Sequence, residues 1–200
     1  MTDFAVYIFD WGTPVFFRLF DNGGGSHFTV RGIITQNGNL YEDGLGMPYW
    51  ANRRERWDHG TRDSPHHREK NRAVLANPLK GQYVNGTPDN RLDRLDPSTW
   101  MLDYKLNIQG REERLLDMLF DYGENVRLYP VWQAWLKASG LPILMWGKND
   151  PAFIAPGAKA FKTDIPETEL VLLDGGHFVL ETHLDEAVEI IRPFLRKIAW

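Results

Sequence analysis

Four short apolar runs, rich in β-branched and aromatic side chains, lie in two pairs toward opposite ends of this 200-residue chain, and a long stretch of charged and aromatic residues separates the pairs. Phe4-Ala5-Val6-Tyr7-Ile8-Phe9 is apolar throughout rather than alternating, the pattern of a parallel strand covered on both faces. Residues 14–20 read as a short helix with Pro14 in its first turn, where the missing N–H costs nothing, and Asn22-Gly23-Gly24-Gly25-Ser26 stops it. Thr29-Val30-Arg31-Gly32-Ile33-Ile34-Thr35-Gln36 is a second strand that ends at Asn37-Gly38-Asn39. Strand, helix and strand in that order predict a right-handed crossover unit. The same rhythm returns late in the chain. Pro142-Ile143-Leu144-Met145-Trp146 and Leu170-Val171-Leu172-Leu173 read as strands, with 156–163 a helix between them. Leu184, Ala187, Val188, Ile191 and Leu195 then mark an amphipathic helix, which Pro193 is expected to kink or end.

The middle of the chain reads as helical. Ser64-Pro65 supplies a cap and a first-turn proline for a helix that stops at Asn77-Pro78. Leu115, Leu116, Leu119 and Phe120 stand at helical spacing, and 131–138 forms one more helix. The fold class is therefore α/β: a mostly parallel sheet of about four strands, its first part in 1–43 and its second in 137–200, with a helical insertion over 44–136.

Composition removes several kinds of function. The chain has no cysteine, which excludes disulfide scaffolds, zinc ribbons, iron–sulfur sites and thiol catalysis. A net charge of −4 argues against nucleic acid as the main partner, because phosphate binding needs a basic face. Met1-Thr2-Asp3 carries no basic leader and the first apolar run ends at Asp10, too short for a signal peptide or a membrane span, so a cytoplasmic location with no membrane partner is expected.

Three polar residues stand just past the C-terminal ends of strands: Asp10 after the first, Asp150 after the third and His177 after the fourth. In open parallel sheets that edge is where ligands bind. Each residue alone has a bland role, Asp10 as a helix cap, Asp150 before Pro151 as a turn residue, His177 after two glycines as a turn histidine. Together they pair an imidazole with one carboxylate that orients it and another that can attack an electrophilic carbon.

Phe9-Asp10-Trp11-Gly12-Thr13-Pro14 resembles the nucleophile elbow of the haloalkane dehalogenase and epoxide hydrolase branch of the α/β-hydrolase superfamily, where aspartate replaces the serine of lipases. Trp146-Gly147-Lys148-Asn149-Asp150-Pro151 is similar to the segment that carries the triad acid, and Gly175-Gly176-His177-Phe178 to the one that carries the histidine. The resemblance implies that Asp10 attacks a halide- or epoxide-bearing carbon to form an alkyl ester, and that His177, oriented by Asp150, activates water to hydrolyse it. It further implies a Trp11 N–H in the oxyanion hole, its indole at the leaving group, a helical cap over 44–136, a small apolar organic substrate and no cofactor. None of Ser26, Ser64, Ser98 and Ser139 lies in a G-x-S-x-G context, so a serine nucleophile is disfavoured.

The resemblance spans nearly the whole chain but only the second half of such an enzyme, since the fold has about four strands before the elbow and takes a second oxyanion donor from a loop among them. An apolar first strand with an open edge predicts self-association. Two readings follow: a hydrolase of the aspartate-nucleophile type, or a catalytically inert remnant of one that binds a ligand or partner. Tyr83, Tyr104, Tyr122 and Tyr129 are cap-region candidates for the acid that protonates an epoxide oxygen. For His59, His66 and His67 a solvated helical face is the better reading than a metal site, and Asn85-Gly86-Thr87 is read as a turn.

Overall fold

The computed structural model describes residues 2–21, 27–47, 49–77, 79–106, 111–139 and 142–198. Strands β1 (Asp3–Phe9), β2 (Thr29–Gln36), β3 (Pro142–Gly147) and β4 (Glu169–Leu173) form one sheet in the order β1-β2-β3-β4, with every neighbouring pair parallel. Parallel neighbours cannot be joined by tight turns and need crossovers. Helix α1 (Gly12–Asp21) lies in the first crossover and α6 (Ala155–Asp164) in the third. The second contains α2 (Ala51–His59), α3 (Pro65–Leu75), a π-helical turn (Leu79–Val84), a 3-10 turn (Asp89–Arg94), α4 (Pro97–Leu106) and α5 (Glu112–Ser139). All strand C-termini consequently share one edge of the sheet.

Period-two alternation divides β3 between two layers. Leu144 and Trp146 join the main core with Phe17, Trp132, Phe153 and Phe161, whereas Met145 between them packs with Val179 of α7 (Val179–Thr182) and Ala187 of α8 (Leu184–Ile198). Among the described residues no helix is long and apolar enough to cross a membrane.

Three local expectations give way. The first strand, read as covered on both faces, is not: among its residues only Ile8 is buried and Tyr7 is 37% exposed, although among the described residues it has the open edge that was expected and pairs only with β2. Sequence composition reports the hydrophobicity of a strand and not how much of it is covered. The helices read separately around Leu116 and after Val131 are one 28-residue helix that passes through Pro130. An internal proline costs about 3 kcal/mol, but buried Leu116, Leu119, Tyr122, Tyr129, Trp132 and Leu136 form one continuous stripe, and each large apolar side chain contributes about 1.5–3 kcal/mol on burial. Helix α8 likewise continues beyond Pro193 to Ile198. Its last turns lie against Gly32 of β2, where a Cβ would stand 2.6 Å from the Ile198 side-chain tip and 2.8 Å from that of Phe194, so a larger residue there would push these side-chain ends aside. The glycine run expected to end the first helix lies outside the described residues.

Candidate active site

Asp10 follows β1 with φ 45°, a left-handed backbone conformation that costs a non-glycine residue about 1–3 kcal/mol and persists where surrounding structure imposes it. The Thr13 N–H donates to the Asp10 main-chain carbonyl at 3.1 Å, and among the described residues no backbone N–H of the following helix bonds the Asp10 carboxylate as a cap would require. That carboxylate lies 3.6 Å from Nε2 of His177. On the other side of the ring, Nδ1 is 2.7 Å from Oδ2 of Asp150. The remaining Asp150 oxygen accepts the backbone N–H groups of Ala152 at 2.8 Å and Phe153 at 3.2 Å. Asp150 and His177 are buried, while the Asp10 side chain keeps 26% exposure. The structure thus brings together the three residues that the strand ends single out.

The sheet edge also fixes the histidine from behind. Gln36 Nε2 donates to the His177 carbonyl at 2.9 Å, and Tyr7 hydroxyl donates to the Gln36 side-chain oxygen. Asn37, at φ 44°, clamps β2 to β3 by donating to the Gly147 carbonyl at 3.2 Å and accepting the Gly147 N–H at 2.9 Å. A Cβ on Gly147 would stand 1.9 Å from the Gly176 carbonyl oxygen, so β3 and the histidine loop approach as closely as they do only because this residue is glycine. Phe9 lies 4.6 Å and Phe178 5.0 Å from the imidazole, ring centre to ring centre. The sequence reading took Gln36 as the last residue of its strand and Asn37 as a turn residue and gave neither a role, although a place at a parallel strand end is the signal that identified the triad.

Burial disfavours a charged His177, but the Asp150 and Asp10 carboxylates outweigh it and hold the imidazole pKa well above its ordinary 6.5. Folding therefore binds a proton. The stability this contributes is fully present below the unfolded-state pKa of about 6.5 and is lost as pH rises through the folded value. The melting temperature is expected to fall over that upward pH interval, by roughly 2–4 °C for each kcal/mol lost. The fall should be smaller in Asp10→Asn, which removes one of the two carboxylates. Equal profiles for the two proteins in a calorimetric pH series would contradict this electrostatic account.

Asp10, His177 and Asp150 open onto a cavity of about 200 Å³ that is also lined by Trp11, Trp50 and Arg53. The indole N–H groups of Trp50, Trp57 and Trp146 are committed to the carbonyls of Ala152, Leu119 and Phe153. That of Trp11 has no such partner among the described residues. Trp11 also borders a neighbouring cavity of about 440 Å³ with Tyr122.

None of the four tyrosines considered for an acid role lines the Asp10 cavity. Tyr83 donates to Asp103 at 2.6 Å and stacks on Phe178, Tyr122 and Tyr129 face each other at 3.2 Å in the core, and Tyr104 is exposed. Burial pushes the Tyr83, Tyr122 and Tyr129 hydroxyls upward in pKa. The tyrosine that does line the Asp10 cavity is Tyr49, which no sequence motif marked. Ser64, Ser98 and Ser139 bond within their own helix ends and lie away from the cavity; Ser26 is outside the described residues. His67 is buried against Ser64 at 2.7 Å rather than solvated, and among the described residues no group of three or more His, Asp or Glu is placed to hold a metal ion.

A parallel sheet with crossover helices, carrying Asp10, Asp150 and His177 past the ends of β1, β3 and β4, has the α/β-hydrolase fold. Solved structures bear this out. Potato epoxide hydrolase I (Solanum tuberosum) superposes with a TM-score of 0.64 at 16% identity over 98% of this chain and 70% of its own. A haloalkane dehalogenase from Bradyrhizobium elkani gives 0.62 at 18% identity, over 96% of this chain and 66% of its own. A thermophilic esterase from Thermogutta terrifontis gives 0.61 at 16% identity, over 100% and 66%. In sequence, the chain is 40% identical over 199 residues to an uncharacterized hydrolase of Saccharomyces cerevisiae, and covers 96% of this chain and 66%, just under two thirds, of that protein. No family model matches.

Proposed function

We propose that this chain carries the catalytic half of a hydrolase whose nucleophile is Asp10, acting on a small halide- or epoxide-bearing electrophile. One observation carries the reading: the Asp10, His177 and Asp150 side chains follow one another at 3.6 and 2.7 Å over a shared cavity. An Asp10 oxygen attacks the electrophilic carbon from behind the bond that breaks. A halide then departs with the electron pair, or the epoxide C–O bond opens to an alkoxide that takes a proton. Trp11 lines the cavity, and its indole N–H, with no partner among the described residues, suits the departing group. In the second half, water adds to the ester carbonyl, the alcohol leaves with one Asp10 oxygen, and Asp10 is regenerated.

The proton economy of the site supports this order. At rest two carboxylates keep His177 protonated. Alkylation turns Asp10 into a neutral ester and removes one of them, so the imidazole pKa falls at the step where a base is required. The Trp11 N–H, at the start of α1, is the oxyanion donor that this chain offers. Intact-protein mass spectrometry after exposure to a short-chain alkyl bromide or a terminal epoxide tests the reading, with the added mass expected on Asp10.

A further inference from the structure

The structure assigns Arg53 as a carboxylate anchor, so that the preferred electrophile of the Asp10 cavity is a small organic anion rather than a neutral hydrocarbon derivative. The inference rests on the aspartate-nucleophile reading and narrows its substrate.

Arg53 and Arg56 lie one turn apart on α2, both nearly inaccessible to solvent, and only one of them is satisfied. Every guanidinium nitrogen of Arg56 donates to a main-chain oxygen: Nε to Thr61 at 3.3 Å, Nη1 to Leu116 at 3.2 Å, and Nη2 to Arg62. Arg56 is a structural residue. Arg53 donates from Nη1 to the Tyr49 carbonyl at 2.5 Å, and its carbon lies 4.2 Å from the Tyr49 ring centre and 5.3 Å from that of Trp50. Its Nε is buried with no hydrogen-bond partner, and Arg53 makes no ion pair with a described carboxylate although it is 4% exposed. A buried guanidinium stays charged and needs an acceptor, and the residues here leave one donor without it.

Arg53 lines the cavity together with Asp10, so an anion bound there would lie against a buried guanidinium that has no ion pair with a described carboxylate. The two aromatic faces and the Tyr49 carbonyl hold the guanidinium in place, and the Asp10 carboxylate acts on it through the cavity without forming an ion pair. Asp103 lines the same cavity, but its carboxylate accepts the Tyr83 hydroxyl. Gln82, from the π-helical turn, adds an amide to the wall. A volume of about 200 Å³ suits a molecule of a few heavy atoms. A short carboxylate whose electrophilic carbon lies next to the carboxyl group would satisfy Arg53 at one end and meet Asp10 at the other. With a 2-halo acid, the Asp10 oxygen bonds to C2, halide leaves with the C–X electron pair, and ester hydrolysis by water yields a 2-hydroxy acid and a proton.

Binding is measured without turnover by titrating the full chain with propionate and with neutral propionamide of similar shape, following the fluorescence of Trp11 and Trp50 in the cavity wall. Propionate should bind at least tenfold more tightly. Arg53→Met should erase that preference, a loss of about thirtyfold or more for removing one side of a buried charge pair, and Arg53→Lys should keep part of it. Equal affinity of the native chain for the two probes overturns the proposal even where Arg53→Met does not fold. So does a folded Arg53→Met with the preference intact, or one that slows neutral and anionic electrophiles equally in kcat, which would make Arg53 a support for Asp10. Propionate selectivity without Asp10 alkylation would leave the anchor standing and remove the nucleophile. Alkylation by neutral bromides without selectivity would do the reverse.

Discussion

In a His177→Gln variant Asp10 is expected to be alkylated once and to remain so. The first half-reaction needs only the Asp10 carboxylate and a bound electrophile, whereas the second needs a base on the water. Glutamine fills much of the same space between Phe9 and Phe178 and can donate to Asp150, yet it takes no proton at neutral pH. Loss of a positioned general base slows the step it serves by roughly 10²–10⁴-fold. The ester therefore accumulates, and digestion should place one added alkyl group on the peptide containing Asp10. The native chain should show little of it, and Asp10→Asn none. An unmodified His177→Gln protein that still forms product would point to another nucleophile. An unmodified protein with no product from the native chain would favour the inert reading.

Replacing Asp150 by Asn is expected to leave the protein folded and to stop turnover at the ester. Asparagine can still accept the Ala152 and Phe153 N–H groups through its oxygen. Its amide then faces Nδ1 of His177, which must become an acceptor, so the imidazole proton moves to Nε2 on the Asp10 side. A histidine in that tautomer cannot take a proton from water there, and the equivalent exchange in serine-protease triads costs about 10⁴-fold. Asp150→Ala is the harsher change. It leaves the two backbone donors buried without a partner, at about 1–3 kcal/mol each, and removes a charge from beside a buried imidazolium. Rapid-quench kinetics should show a normal first phase in Asp150→Asn followed by a stalled one, with an unfolding transition close to that of the native chain. Native turnover in Asp150→Asn would mean that this carboxylate only holds its turn.

The parts of the site that stand on strands could be read from residue order, and the parts on helices could not. Asp10, Asp150 and His177 each follow an apolar run that is long enough to be a buried strand, and parallel pairing then has to place their ends on one edge. Arg53 and Tyr49 have no such anchor. The segment from Ala51 to His59 lacks an apolar stripe, and its charges read as a solvated face; packing of Arg53 on Tyr49 and Trp50 and of Arg56 on α5 buries them instead. The same limit applies to α5. Gly123 and Pro130 punctuate it locally, and the stripe that overrides them, from Leu116 to Leu136, matters only once there is a core to receive it. β1 failed in the opposite sense, since its apolar sequence gives no sign that Ile8 alone would be fully buried.

The oxygen that ends in the product alcohol decides the central assignment most directly. With enzyme in excess over an alkyl bromide in water enriched in oxygen-18, a single turnover should release alcohol carrying ordinary oxygen, taken from Asp10, and leave the Asp10 peptide heavier by one labelled oxygen. Labelled alcohol together with an unlabelled peptide would show water attacking carbon directly, and Asp10 would then not be the nucleophile.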